Sequence, residues 1–196
     1  MKSLYDFIIK PIGSRYNNKK QIGDKTLIVN TEIFNHQYIN REAEVLNAPL
    51  LIDTEIQVGD SIIVHHNIFR RWHNIRGEEK NSRSYINENT YCAQLDQIYA
   101  YKRNNDWQAL KEYCFVKPIQ SNDKLSLDKE MPLVGIMYYA NDALPNIKVG
   151  DLVGFTPDSE FEFIIDNNRL YRVLIKDIAI KYEYQGQEKE YNPSWL

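Results

Sequence analysis

The sequence predicts an all-β protein made of two tandem copies of a small, partly open β barrel. Three motifs occur twice and in the same order along the chain, which indicates an internal duplication. Short apolar runs with turn residues between them favour small barrels over a helical bundle. We expect the first barrel at residues 1–103, a linker at 104–111, the second, shorter barrel at 112–184 and a polar, loosely held tail at 185–196.

The first repeated motif is an apolar strand that ends in Lys-Pro. It runs Phe7–Ile12 (FIIKPI) in the first copy and Cys114–Ile119 (CFVKPI) in the second. A β-rich run closed by proline is typical of a strand that ends or lies at an edge. Each barrel is therefore expected to open with this strand.

The second repeated motif is a turn, and a short strand motif follows it later in the chain. The turns are Val58-Gly59-Asp60 and Val149-Gly150-Asp151. We expect both glycines to take a positive φ, which only glycine adopts freely. The third pair of motifs is weaker and matches Asp96–Ala100 with Asp177–Ile180.

The first copy is longer than the second on both sides of its turn. The Lys-Pro strand and the turn are 48 positions apart in the first copy and 32 in the second, and the turn and the final strand are 39 and 28 apart. Residues 14–25 are polar and are expected to form an exposed flexible loop. Residues 65–85 are expected to be an irregular polar insertion, and 104–111 a turn with a short helical stretch.

Composition and charge exclude several classes of protein. A net charge of −3 and a pI near 5.8 give no overall electrostatic basis for binding nucleic acid. No apolar run approaches the ~20 residues of a membrane helix, and the start of the chain has Lys2 but no signal-peptide pattern. We expect a cytoplasmic protein in which Cys92 and Cys114 are buried free thiols, with a Cys92–Cys114 bridge as the alternative.

The sequence offers little support for catalysis or metal binding. His65, His66 and His73 have a spacing that matches no standard zinc pattern, so we expect histidines on the rim of a barrel and no metal. No Ser-His-Asp or Cys-His order and no glycine-rich phosphate loop stand out. We therefore expect no enzymatic activity and no cofactor.

The order of these motifs resembles that of the bacterial co-chaperonin (GroES) family, and the first half is similar to co-chaperonin-like proteins of tailed phages. The family shares the apolar-Lys strand, the Val-Gly-Asp turn with an apolar strand after it, and a final Asp-Ile strand. The resemblance covers both copies, and it implies two GroES-like barrels, a homo-oligomeric ring and a chaperonin of the host or the phage as partner.

The resemblance also implies which residues contact the chaperonin. Family members extend a mobile loop whose apolar triplet inserts into the chaperonin, and the matching triplet here is Leu27-Ile28-Val29. We expect Ile28 to be the main anchor within a mobile segment 14–33. A short segment with Leu125 and Leu127 takes the equivalent place in the second copy, which we expect to have lost this contact. The alternative is that the triplet is an ordinary core strand.

The insertion of the first copy suggests a second kind of contact. In the family, the region after the Val-Gly-Asp turn lies beside the strand that builds the ring interface or roof, so the resemblance implies that Arg70, Arg71 and Trp72 anchor a neighbouring subunit. A solvated loop is the alternative. Basic residues next to aromatic ones also occur in nucleic-acid-binding proteins, but Glu78 and Glu79 interrupt the run. The leading hypothesis is a phage-encoded co-chaperonin-like lid, and the alternative is a phage structural or assembly protein that uses the barrels as a scaffold.

Overall fold

A computed structural model describes residues 2–17, 19–28, 38–110, 112–121, 129–140, 142–183, 186 and 188–191. The chain forms two compact units, Met1–Asp106 and Trp107–Leu196. Both are all-β, as predicted, and are built from antiparallel sheets. No helix in these ranges is long and apolar enough to cross a membrane.

The described residues of the first unit form ten strands, and an eleventh spans the boundary between the two units. They are β1 (Phe7–Pro11), β2 (Lys19–Ile22), β3 (Lys25–Ile28), β4 (Glu42–Asn47), β5 (Ser61–Val64), β6 (Arg71–His73), β7 (Glu79–Asn81), β8 (Tyr85–Asn87), β9 (Thr90–Ala93), β10 (Ile98–Arg103) and β11 (Asp106–Ala109). Short 3₁₀ helices lie at His66–Ile68 and Leu95–Gln97.

Six further strands follow in the described part of the second unit. They are β12 (Tyr113–Gln120), β13 (Glu130–Tyr139), β14 (Leu152–Phe155), β15 (Phe161–Ile165), β16 (Asn168–Leu174) and β17 (Ile178–Tyr182). A 3₁₀ helix at Ile175–Asp177 precedes β17, as Leu95–Gln97 precedes β10.

The main sheets of the two units have the same strand order. In the sheet of the first unit, β11 lies at one edge beside β10, and the remaining strands follow the order β10-β5-β4-β1-β9-β8. The strands of the second unit follow the order β17-β14-β13-β12-β16-β15. Each strand of one list has its counterpart at the same position of the other, in the same order along the chain. In the described part of the chain, neither sheet closes into a complete barrel.

The repeated turn has the same backbone geometry in both units. Gly59 has φ +92° and donates to the Val45 carbonyl at 2.8 Å, and Gly150 has φ +93° and donates to the Met137 carbonyl at 2.8 Å. The positive φ expected for both glycines is therefore confirmed. The predicted match of Asp96 with Asp177 is one residue out of register. The His65 N–H donates to the Gln97 carbonyl in the first unit, and the Thr156 N–H donates to the Asp177 carbonyl in the second, so Gln97 is the counterpart of Asp177.

The aspartate of each turn stabilises it in the same way. A side-chain oxygen of Asp60 accepts from the Gln57 N–H at 2.8 Å and pairs with Arg103 at 2.7 Å. In the second unit, Asp151 accepts from the Lys148 N–H at 2.7 Å and pairs with Lys181 at 2.6 Å. The bond from Lys181, followed by that from the Lys148 backbone, lowers the pKa of Asp151 below its usual value.

Gly59→Val and Gly150→Val are each expected to destabilise their own unit by about 1–2 kcal/mol, because valine at a positive φ is strained. No atom lies within 4 Å of a Cβ built at either glycine, so the cost comes from the backbone and not from a clash. Thermal unfolding of both variants measures the effect. Melting curves that coincide with that of the parent would contradict it.

Each unit has its own apolar core. In the second unit it is built from alternate residues of neighbouring strands, namely Cys114, Val116, Met137, Val153, Phe155 and Val173. In the first unit the fully buried side chains include Phe7, Ile9, Val45, Ile62, Val64, Phe69 and Tyr91. Both cysteines are free, as predicted; Cys114 is buried, and burial raises the pKa of its thiol to about 12, while Cys92 is only half-buried.

Three segments differ from the sequence-based expectations. The polar stretch 14–25 contains β2 and the start of β3, and the insertion 65–85 contains a 3₁₀ helix and the β6–β7 hairpin. In 104–111 the expected short helical stretch is wrong, since a turn at Asn104 and Asn105 leads into β11. These polar residues form strands although they lack the alternating apolar pattern that makes strands recognisable.

Apolar residues alternate along β15 and β17, but not all of these side chains are buried. Phe163 and Ile165 are buried, whereas Phe161 is 56% exposed. Ile180 is 49% and Tyr182 39% exposed, because β17 forms one edge of its sheet. An edge strand has a neighbour on one side only, so its apolar face is less completely covered.

The expectation of a loosely held tail is wrong for residues 188–191. The Gln120 N–H donates to the Lys189 carbonyl at 2.7 Å, and the Tyr191 N–H donates to the Pro118 carbonyl at 2.8 Å. The buried ammonium of Lys117 lies 2.5 Å from Glu190. The segment therefore docks along the end of β12, and the Lys of the repeated motif provides its ionic contact.

Candidate functional site

The first hairpin, β2 and β3 (Lys19–Ile28), forms a two-stranded sheet of its own. It turns at Gly23 and Asp24 and exposes 58% of Ile22 and 56% of Leu27. The core-strand alternative for the apolar triplet is therefore wrong for Leu27. Ile28 ends β3, and Val29, like Leu125 and Leu127, lies outside the described residues.

A short stalk, formed by residues 14–17 and 38–40, lies between the body of the unit and the segment that contains the first hairpin. Its two sides pair through the Asn17 N–H and the Tyr38 carbonyl at 2.7 Å, and through the Asn40 N–H and the Arg15 carbonyl at 3.1 Å. The buried side-chain amide of Asn40 donates to the carbonyls of Ile12 and Ser14. The stalk is thus held at the point where it leaves β1.

The second hairpin, β6 and β7 (Arg71–Asn81), lies in the insertion and also forms a sheet of its own. The Asn74 side chain organises its tip, because its oxygen accepts from the N–H groups of Arg76 and Glu78. Ile75 is fully exposed at this tip. A fully exposed isoleucine contributes nothing to the core, so the tip is available for a partner.

Arg15 joins the bases of the two hairpins. From its place in the stalk it donates through Nε to the Phe69 carbonyl at 2.7 Å, through Nη1 to Asn81 Oδ1 at 2.7 Å and through Nη2 to the Arg70 carbonyl at 3.2 Å. Its guanidinium also lies 5.4 Å from the ring centre of Tyr91, where the cation attracts the π face. The planar fork of arginine allows these bonds at once, and a lysine could not reproduce them.

Tyr16 makes a second connection at the same place. Its hydroxyl accepts from the Arg71 N–H at 2.9 Å, and the Arg71 guanidinium lies 4.9 Å from its ring centre. Sequence analysis assigned Arg15 and Tyr16 to a flexible loop and missed this role. The one available signal was an arginine and a tyrosine in a stretch otherwise rich in small polar and lysine residues.

The predicted interface residues occupy the start of the second hairpin. The Arg70 carbonyl accepts a hydrogen bond from the Arg15 side chain, and the Arg71 side chain forms an ion pair with Glu79 at 3.2 Å. Trp72 is half-buried in β6. The structure thus places these residues beside the stalk of the first hairpin, and a contact of Arg70, Arg71 and Trp72 with a neighbouring subunit stays a prediction.

The histidines of the insertion lie on the surface of the first unit. The His65 and His66 rings stack at 4.3 Å, and Nδ1 of His65 accepts from the Asn67 N–H, so this nitrogen caps a 3₁₀ helix. Within the described ranges no group of three or more His, Cys, Asp or Glu side chains is arranged to hold a metal ion.

The second unit has no counterpart of the second hairpin. Residues 65–84 separate β5 from β8, whereas only residues 156–160 separate the equivalent strands β14 and β15. The segment between β12 and β13 is likewise shorter than that between β1 and β4. The two copies therefore share the strand order of their main sheet and differ in the length of these two connecting segments, which is where a function specific to the first unit would lie.

The hairpins carry a positive charge that the rest of the chain does not. The first hairpin has three lysines and one aspartate, and residues 70–83 have five cations and two glutamates, which together give +5. Since the whole chain has −3, the remaining residues have −8. The candidate site is therefore a basic region with exposed aliphatic side chains on an acidic protein.

Neither a scan against models of protein families nor a search of curated proteins finds a match to the chain.

Proposed function

We propose that this protein is a co-chaperonin-like lid that binds a GroEL-type chaperonin through the first hairpin and so assists protein folding. It is encoded by a phage, acts in the host cytoplasm as a homo-oligomeric ring, and each chain contributes two partly open, GroES-like barrels. The observation that carries the proposal is the exposed apolar hairpin of the first unit, whose main sheet has the same strand order as that of the second.

The first hairpin has the properties that a chaperonin anchor requires. Leu27 is exposed, so it is free to enter an apolar groove of a partner without unfolding the core. Burying one such side chain contributes about 1.5–3 kcal/mol, which by itself gives weak binding. A ring presents several copies together, and the high effective concentration of the remaining copies makes binding strong but reversible.

The alternative function is that of a phage structural or assembly protein built on the same barrels. One observation favours it: the first segment is a formed β-hairpin whose stalk is fixed by Arg15 and Tyr16, rather than an irregular loop. Fixed hairpins suit a permanent interface, since no ordering entropy is lost when they bind. The two functions differ in whether binding to a chaperonin depends on nucleotide.

Capture by an immobilised bacterial GroEL-type chaperonin tests the proposal. We expect the full-length protein to be retained with ADP or ATP present and released when nucleotide is removed, because the chaperonin grooves change with nucleotide. The control is the same column saturated with a conventional co-chaperonin, which should block retention. If the protein is not retained in any nucleotide state, the proposed function is wrong.

A further inference from the structure

We propose that the two hairpins of the first unit form one docking surface, and that its partner is a protein whose apolar site is bordered by carboxylates. This inference rests on the proposed function, since the partner meant is the chaperonin that the first hairpin binds. It adds a second contact element and specifies the charge of the surface that receives it.

The two hairpins rise from one place on the unit. Arg15 is part of the stalk of the first hairpin, yet its guanidinium donates three hydrogen bonds to residues at the base of the second. Tyr16 contacts Arg71, the first residue of the second hairpin, through both its hydroxyl and its ring. A partner that grips the first hairpin therefore lies close to the second.

Each hairpin combines exposed aliphatic and cationic side chains. The first exposes Ile22 and Leu27 together with Lys25, and the second exposes Ile75 next to Arg76. Aliphatic side chains enter apolar sites, whereas cations around them select a partner by the charge at the rim of that site. Both hairpins thus carry the same combination.

Some of the positive charge is free to act on a partner. Within the second hairpin Arg71 pairs with Glu79 and Lys80 with Glu78. Arg70, Arg76 and Arg83 have no ion pair within the part of the chain that the structure describes. With the rest of the protein at −8, an acidic partner surface is attracted to the hairpins and repelled elsewhere, which orients its approach.

The side chains of the hairpins favour a protein partner over a nucleic acid. Single-stranded nucleic acids are bound by exposed aromatic rings on which the bases stack. Among the described residues of the two hairpins, the exposed apolar side chains of Ile22, Leu27 and Ile75 are aliphatic, and the aromatic Trp72 is half-buried. Binding of nucleic acid is therefore an outcome to be tested and not the inference.

Two variants of the second hairpin test separately how its apolar side chain and its charge contribute to binding of the chaperonin. Ile75→Asp removes the exposed aliphatic side chain, and we expect the complex with the GroEL-type chaperonin to dissociate about tenfold faster. Arg76→Glu reverses a rim charge, and we expect about tenfold slower association together with a weaker dependence on salt between about 50 mM and about 500 mM. Lys176→Glu, an exposed cation of the second unit, is the matched control and should change neither rate.

The results distinguish this inference from the function on which it rests. If the parent binds, Leu27→Asp does not, and both second-hairpin variants bind like the parent at every salt concentration, the docking surface is wrong and the proposed function stands. If the parent itself does not bind in any nucleotide state, both are wrong. If Arg76→Glu instead abolishes binding to a single-stranded oligonucleotide and leaves chaperonin binding unchanged, the surface serves nucleic acid and the inference is also overturned.

Discussion

Ile28→Asp and Leu27→Asp are each expected to abolish stable capture by a GroEL-type chaperonin. The substitution removes about 1.5–3 kcal/mol of apolar burial per hairpin and places a charge in an apolar groove, which adds a desolvation cost. Because the hairpins of a ring bind together, the loss in each one multiplies into near-complete loss of capping. Retention on immobilised chaperonin with nucleotide present measures the effect.

The same variants are expected to keep the melting temperature of the parent. Leu27 is exposed and its hairpin pairs with no other sheet in the described residues, so the core does not depend on it. Thr26→Asp is the matched control, since it adds the same charge one position earlier in β3 without removing an aliphatic side chain. If the chaperonin captures both variants as well as the parent, the first hairpin is not the anchor. If instead the variants unfold, the triplet Leu27-Ile28-Val29 belongs to the core.

Phe115→Ala is expected to destabilise the second unit by about 3–5 kcal/mol, the largest stability effect that we predict. Phe115 is fully buried in β12 at the centre of its sheet, and its ring lies 5.9 Å from that of Tyr139 and 6.0 Å from that of Phe163. Alanine leaves a cavity between these rings that the flanking strands cannot close. Denaturant unfolding followed by hydrogen exchange at the amides of β12 and β13 reports on this unit, because two units need not unfold as one.

Phe161→Ala provides the comparison for this loss. It removes the same side chain from β15 of the same unit, where the phenylalanine is 56% exposed and contacts the Arg172 guanidinium at 4.4 Å. We expect a cost below about 1 kcal/mol, the value of an exposed cation–π contact. Equal losses for the two variants would mean that burial of Phe115 does not determine the stability of the second unit.

The strands that carry apolar patterns were predictable because their signal is local. The FIIKPI and CFVKPI motifs predicted β1 and β12. The Val-Gly-Asp motif predicted a turn, and its glycine has the expected positive φ in both units. A positive φ is a property of one residue, and alternation is a property of a few neighbours. Both can therefore be recognised without knowing the fold.

The hairpins of the candidate site were only partly predictable. Sequence analysis predicted an apolar anchor at Leu27 and Ile28, and that role stays a prediction; it did not predict the hairpin in which these residues lie. The contacts that hold both hairpins join Arg15 to Phe69 and Asn81, 54 and 66 positions later in the chain. Bonds from a side chain to a distant carbonyl leave no periodic pattern in the sequence, so the insertions appeared irregular.

The sequence by itself determined that the chain is all-β, that its motifs occur twice in one order, and where the repeated turns lie, since each follows from local backbone preference and short-range apolar alternation. Only the tertiary structure decided that the two copies have the same strand order, that Ile180 lies on an edge, and that Glu190 docks onto Lys117. It also decided that the two insertions are hairpins joined at Arg15. These features depend on which strands become neighbours, and the free energy of such contacts comes from residues far apart in the chain.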